Sequence, residues 1–364
     1  MNLFFKKSAG FLFDFNYFTR MQSQGSFKIF IPAFAAKLSV IISNDLIIDD
    51  YCKRYLDHLL LHSKYYLTIY AQVLDKAMQH AEKPTYEINL VDFGAGNGLL
   101  GIFAKYCGFK KVFLCDSDAD FVKAAEVMGD ALSIFIDGMI TGDIDQLKNI
   151  VQNETIDIIV GTDVIEHIYN LDDFFEGVRK INNRMVTVFT TASNPSNFLK
   201  VRKLKKLQVK DEYEGGDPTD FVLAGSKKHE AFIVMREKII LTAFPLIPSA
   251  TLKQLAALTR GSKKTDILLA VEHYLASGKM PVNKGITSNT CNPITGSWTE
   301  RILPIAIYNN IYTKNHFDME VHNGFYNAYS KGNKKYFNLC MNFLVRLTGK
   351  IIAPYITLIG YKKG

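Results

Sequence analysis

The chain has 364 residues, 48% hydrophobic and 22% charged, with a formal net charge of +7. This composition excludes a disordered chain and a repeat fibre, and the length allows one α/β core with a substantial accessory region. Five cysteines, Cys52, Cys107, Cys115, Cys291 and Cys340, stand far apart with no CxxC pair, which argues against a zinc knuckle and for a reducing, cytoplasmic location.

The opening MNLFFKKSAGFLFDF lacks a long apolar run followed by a small-residue cleavage site. No later stretch approaches about 18 uninterrupted apolar residues, so neither a signal peptide nor a membrane span is expected. The sequence is aromatic and irregular up to about residue 50. YCKRYLDHLLLHSKYYLTIYAQVLDKAMQHA (51–81) then carries apolar residues at helical spacing without glycine or proline, which predicts one long helix ending near Pro84.

After it, strand and helix alternate. Strands are predicted at Ile88 to Phe93, Val112 to Cys115, Ser133 to Ile136, Ile156 to Gly161 and Met185 to Thr190. Short apolar strands separated by helices imply an α/β fold with a doubly wound, parallel sheet covered on both faces. From 195 to 310 the rhythm becomes helical, broken by Gly215, Gly216, Pro245, Pro248, Gly261 and a loop at 280–298. MEVHNGFYNAY (319–329) and PYITLIGYKK (354–363) would complete the sheet as a C-terminal pair. The expected organisation is an N-terminal helical segment (1–86), a core of 87–194 with 311–364, and a mostly helical cap inserted at 195–310.

The basic run VRKLKKLQVK (201–210) admits two readings, a solvated helix face or a site for a phosphate, an acidic lipid or RNA. Leu204 and Leu207 give it an apolar edge, so it can lie on the protein's own core as readily as on a membrane.

The chemistry begins at LVDFGAGNGLLG (90–101). Gly96, Gly98 and Gly101 satisfy the GxGxxG dinucleotide fingerprint, with Asp116 at the distance of a ribose-binding acid. The strand ends earlier, however, so the first turn glycine is Gly94, preceded two positions before by Asp92. A carboxylate close to a pyrophosphate would be repulsive, whereas it suits a cationic ligand.

Asp92, Gly94, Ala95, Gly96 and Gly98 together resemble motif I of the class I S-adenosylmethionine-dependent methyltransferases. The resemblance continues through Asp116 and Ser117 at the end of the second strand, and through IDIIVGTDVIEHIYNLDDFF (156–175), which is similar to the ubiquinone-biosynthesis O-methyltransferase type. It covers roughly 88–192 and implies a seven-stranded, mostly parallel Rossmann-like sheet. It also implies S-adenosyl-L-methionine as the methyl donor, with Asp116 on the ribose hydroxyls, Asp137, Gly138 and Met139 near the adenine, and Thr162 and Asp163 at the fourth strand.

Asp163, Glu166 and His167 fall at i, i+3 and i+4, so a helix starting there would align them, with Asp163 as N-cap and Glu166 closing a capping box. The resemblance also suggests a divalent metal held by Asp163, Glu166, His167 and the later His229, lowering the pKa of an acceptor hydroxyl. Without a metal, His229 or His167 would serve as general base.

The acceptor expected is a hydroxyl of a small molecule, sugar or lipid enclosed by the cap. An RNA 2′-hydroxyl is the alternative, for which an RNA-binding module is missing. A non-catalytic cofactor-binding protein is a third, since fold alone does not fix function.

Overall fold

The computed structural model describes residues 26–216, 229–282 and 288–362. Seven strands form one sheet among them: β1 (Asn89–Phe93), β2 (Lys111–Asp116), β3 (Gly138–Thr141), β4 (Ile158–Thr162), β5 (Val186–Thr191), β6 (Asp318–Asn323) and β7 (Ile356–Tyr361). Their spatial order is β3-β2-β1-β4-β5-β7-β6, with β1 to β5 parallel and β7 antiparallel to both neighbours. This is the expected doubly wound, mostly parallel, Rossmann-like sheet, closed by the C-terminal pair.

Alternation along each central strand explains why both faces are covered. Leu90, Val112, Leu114, Ile158, Val160, Val186 and Val188 point to one core. Helices α1 (Ile31–Leu38), α2 (Asp50–Leu61), α3 (Ser63–His80), α4 (Leu99–Tyr106) and α5 (Ala119–Ala131) supply its other side. Val91, Phe113, Cys115, Ile159 and Phe189 point to the opposite core, under α6 (Ile144–Ile150), α7 (Leu171–Ile181) and, further along the chain, a helix at Ile305–Lys314.

Between β5 and that helix lie α8 (Phe198–Tyr213), α9 (Phe232–Ala243), α10 (Ser249–Leu258) and α11 (Lys264–Ser277). Ile240, Leu255, Ala256, Ile267 and Val271 give them a small core of their own. The basic stretch lies on α8, which turns Leu204, Gln208 and Glu212 inward at four-residue spacing. Glu212 forms a buried ion pair with Arg236, whose Nε donates to the Ala256 carbonyl at 2.7 Å. With Ile305–Lys314 as α12, the last helix is α13 (Asn333–Thr348), which joins β6 to β7. No helix among the described residues is long and apolar enough to cross a membrane.

Two elements differ from expectation. Residues 51–81 form α2 and α3 instead of one helix, breaking at His62 (φ −114°, ψ 23°). Tertiary packing overrides the continuous periodicity, because α3 lies across the sheet against β5 and β7 while α2 turns toward α5. The third strand is not Ser133 to Ile136. Ser133 adopts φ 54°, and Ile134 donates its N–H to the Gly129 carbonyl at 2.9 Å, so this segment ends α5 and the strand begins at Gly138.

Candidate functional site

In a sheet of this order, chain connections leave β1 and β4 toward opposite sides, opening a crevice at their carboxyl ends. The loops after β1, β2, β3, β4 and β5 converge there. After β1, Gly94, Gly96 and Gly98 take left-handed φ values of 68°, 53° and 75°. Gly94 and Ala95 both donate N–H bonds to the Cys115 carbonyl, at 2.8 and 3.1 Å, which folds the turn back over β2. A Cβ on Gly94 would stand 2.3 Å from Cγ2 of Val164, so the β1 turn and the β4 loop touch only because glycine is present.

Asp92 supports this turn from beneath. Its side chain is 1% exposed, and Oδ2 accepts the Gly101 N–H at 2.8 Å in the first turn of α4. Burial pushes the carboxyl up to about 7, against the opposing pull of that bond. Asp116 lies on the crevice side. Its Oδ2 accepts the Gly96 N–H at 2.9 Å and its Oδ1 the Asp118 N–H at 3.0 Å. Burial raises this carboxyl too, and the backbone bonds lower it. Ser117 is exposed beside it.

The expected adenine segment needs correction. Gly138 pairs with Phe113 at the start of β3, and Asp137 lies before it at the amino edge of the sheet, where it accepts from Val112 N–H and pairs with Lys105 Nζ at 2.6 Å. Gly138 and Met139 are therefore strand residues remote from the crevice. The β3 residues that reach its carboxyl edge are Thr141 and then Gly142 and Asp143, with Gly142 N–H donating to the Asp116 carbonyl at 2.8 Å. Because β3 runs from Gly138 to Thr141, the segment at its carboxyl end lies later in the chain than the sequence predicts.

Helix α2 roofs the crevice. The ring of Tyr55 approaches to 3.3 Å of where a Gly96 Cβ would be, Tyr51 and Tyr55 each pack edge-on to Phe121, and Asn97 Nδ2 donates to the Cys52 carbonyl at 3.0 Å.

Beyond β4, Thr162 ends the strand opposite Thr190, and Asp163 follows with φ 52°. The expected helix is absent: residues 163–167 form a turn, and α7 starts only at Leu171 behind the Asn170 cap. Asp163 is therefore no N-cap. Its N–H donates to the Thr190 carbonyl at 3.0 Å, and its left-handed backbone swings the carboxylate into the crevice. The side chain keeps accessible surface but lies deep among protein atoms. Burial, then the negative charge of Glu300, pushes it up to about 6, while Lys200 pulls the other way.

The charge of Asp163 is felt by the phenols of Tyr55, Tyr65 and Tyr66, which burial raises first. Tyr66 accepts or donates a 2.8 Å bond with His58 Nε2, and Tyr65 donates to the Phe325 carbonyl at 3.2 Å. Glu166 is 0% exposed, with Oε2 lacking a hydrogen-bond partner, and burial followed by Asp163 and Glu300 holds it well above the usual carboxylate range. The crevice is thus an acidic cleft with tyrosine walls.

The expected metal set does not assemble. His167 turns away, its Nδ1 within 2.7 Å of the Trp298 carbonyl. His229 stacks on Phe232 and faces Asp211 at 3.8 Å. Among the described residues no three histidine, cysteine or acidic side chains converge as a metal site, so neither the metal reading nor His229 beside Glu166 holds.

The residues missed are Tyr55, Tyr65, Tyr66, Asp143 and Glu300. Glu300 takes φ 44° and accepts from Ser193 Oγ at 2.9 Å. It lies 134 to 137 positions from Asp163 and Glu166 in sequence, and only tertiary packing joins them.

No protein-family model and no curated protein sequence matches the chain. Among solved structures it is similar to a Listeria monocytogenes protein provisionally described as an S-adenosylmethionine-dependent methyltransferase, at 12% identity over 81% of this chain and 99% of that one, with a TM-score of 0.40. It is also similar to an S-adenosylmethionine-dependent methyltransferase from Clostridium acetobutylicum, at 19% identity over 34% of this chain and 48% of that one, TM-score 0.28. Geranyl diphosphate C-methyltransferase from Streptomyces coelicolor A3(2) aligns at 16% identity over 33% of this chain and 43% of that one, TM-score 0.27. The chain thus spans about half the length of the Clostridium protein. At these scores the likeness decides neither activity nor acceptor, and the fold rests on the strand order itself.

Proposed function

We propose that the chain transfers a methyl group from S-adenosylmethionine to a nucleophilic hydroxyl on a small molecule, sugar or lipid held in the Asp163 cleft. The observation that carries this reading is the Asp116 carboxylate, fixed by Gly96 and Asp118 N–H groups beside a left-handed glycine turn. A carboxylate has about four acceptor directions, so Asp116 keeps acceptor capacity for a ribose hydroxyl beside these bonds.

The turn suits this donor better than a dinucleotide. Asp92 occupies the Gly101 N–H, one of the free donors of the α4 N-terminus that a pyrophosphate would need. In this reading the backbone of Gly94, Ala95, Gly96 and Gly98 borders the amino-acid end of the donor, Asp116 and Ser117 the ribose, and Gly142 and Asp143 the adenine. Thr162 and Asp163 border the transferring methyl.

The bound donor supplies an electrophilic methyl on a positively charged sulfur. Asp163 accepts the proton of the acceptor hydroxyl as its oxygen lone pair attacks, and the cleft walls of Tyr55, Tyr65 and Tyr66 exclude water and align the acceptor. Glu166, held neutral, adds no second full charge. The negative charges of Asp163 and Glu300 beside the cleft disfavour a phosphodiester backbone, which supports a small acceptor over RNA.

Calorimetry with S-adenosylmethionine and with NADH tests the donor. Binding of S-adenosylmethionine is expected, weakened by about 2–4 kcal/mol in Asp116→Ala. Binding of NADH instead, or unchanged affinity in that variant, overturns the assignment.

A further inference from the structure

Helix α13 turns most of its large apolar side chains outward. Its inward stripe mixes the buried Val345 with two amides: Asn338 Nδ2 donates to the Asn327 carbonyl at 2.6 Å, and Asn342 accepts the Tyr326 N–H at 2.6 Å and donates to the Tyr326 carbonyl at 3.0 Å. The outward face is apolar, with Tyr336 71%, Phe337 61%, Phe343 59% and Leu347 67% exposed. A surface helix ordinarily does the reverse, and so contiguous an apolar stripe marks an interaction face.

Charge identifies what covers it. From Lys331 to Ala353 the sequence holds five cations, Lys331, Lys334, Lys335, Arg346 and Lys350, and no carboxylate. An apolar stripe set among cations is the pattern of a helix lying in the headgroup region of an anionic bilayer. A second copy of the chain would fit poorly, since two-fold pairing would bring ten cations together.

The face continues beyond α13. Asn194 Nδ2 donates to the carbonyls of Lys350 and Ala353, at 2.7 and 2.9 Å, and Asn197 Nδ2 to that of Ala353 at 3.1 Å. These bonds fasten the start of α8 beside the end of α13. There Phe198 and Leu199 are exposed, followed by exposed Arg202, Lys203, Lys205 and Lys206. The same connection carries Ala192, whose N–H holds both Asp163 and Glu166. At the other end, Phe325, next to the Tyr326 that Asn342 grips, bonds to Tyr65 of the cleft wall.

We infer that α13 and the start of α8 form a docking face for an anionic phospholipid bilayer. Tyr336, Phe337, Phe343 and Leu347 enter the boundary between headgroups and acyl chains, and the basic residues sit over anionic headgroups. Because this face borders the Asp163 cleft, the acceptor is drawn from the lipid phase; that last clause rests on the methyl-transfer reading, whereas the docking does not.

Co-sedimentation of the full chain with vesicles of phosphatidylcholine alone, or of phosphatidylcholine with phosphatidylglycerol, tests the inference. Binding to the anionic vesicles is expected to exceed that to the neutral ones by at least about tenfold, and to fall at high salt. Phe343→Glu and Leu347→Glu should each lower it by about tenfold or more without altering the melting temperature, because both side chains face outward. No vesicle binding, binding unmoved by either variant as it would be if residues 1–25 carried it, or a dimer that Phe343→Glu dissociates each overturns the proposal. S-adenosylhomocysteine binding, measured on the same samples, separates the two readings: its absence with vesicle binding intact removes the methyl donor and leaves the docking face.

Discussion

Asp163 and Glu166 share one donor: the Ala192 N–H reaches Oδ1 of Asp163 at 3.0 Å and Oε1 of Glu166 at 3.2 Å. Two carboxyl groups around a single N–H, one of them fully buried, do not both ionise readily. Asp163 is pushed up to about 6, and burial holds Glu166, the fully enclosed member of the pair, well above the usual carboxylate range. The pair therefore presents one carboxylate and one neutral acid at neutral pH.

Asp163→Asn is accordingly expected to lower kcat for methyl transfer by about 10²–10⁴-fold while leaving donor affinity within about twofold. Glu166→Gln, which mimics a neutral acid, should keep most activity. In the unaltered protein kcat/KM should rise with pH through about 6, a limb that vanishes in Asp163→Asn. Full activity in that variant would remove Asp163 from the proton transfer.

At Gly94 the backbone is left-handed and a Cβ would meet Val164 at 2.3 Å. Gly94→Ala should cost about 1–3 kcal/mol in urea unfolding. Adding Val164→Ala removes the collision but not the backbone strain, so the double variant should regain part of the loss. Equal stability of the single and double variants would show that strain alone matters.

Asp92 makes stability fall with rising pH. Its folded-state pKa of about 7 lies above the ordinary value of 3.8, so between these pH values the folded chain holds a proton that the unfolded chain has released. Stability is full below the unfolded value and lost progressively toward the folded one; raised Asp163, Glu166 and Asp116 act in the same direction. Asp92→Asn keeps an acceptor for the Gly101 N–H and cannot ionise. Urea unfolding between about pH 4 and 8 should show a shallower decline in this variant.

Arg236 is fully buried against Glu212. Arg236→Ala leaves the buried Glu212 carboxylate only Thr290 and, at 4.0 Å, Arg260, and should cost about 3 kcal/mol, whereas Arg236→Met with Glu212→Leu should cost much less. Thermal unfolding distinguishes the two. A single variant as stable as the parent would mean that Thr290, which donates to Glu212 at 2.6 Å, and Arg260, 4.0 Å away, suffice to hold it.

The sequence made the strand–helix alternation and the turn at Gly94 legible because both are local. Apolar runs of period two and glycines at positive φ leave their mark within about ten residues. The shift of β3 past Ile136 and the break at His62 were invisible for the opposite reason: each is set by what the segment packs against. The DVIEH segment likewise has the spacing of a helix yet forms a turn, since the approach of Val164 to Gly94 and the strand-like bond from Asp163 to Thr190 prevail over local preference.

By itself, then, the sequence determined the doubly wound sheet, the glycine turn after β1 and the acid at the end of β2, all of which follow from short-range pattern. Only the tertiary structure decided that His167 and His229 turn away from Asp163, that Glu300 and three tyrosines from α2 and α3 gather around it, and that α13 faces its apolar side outward. Those arrangements join residues far apart in the chain or depend on which side of a helix meets the core, and chain order alone carries no record of either.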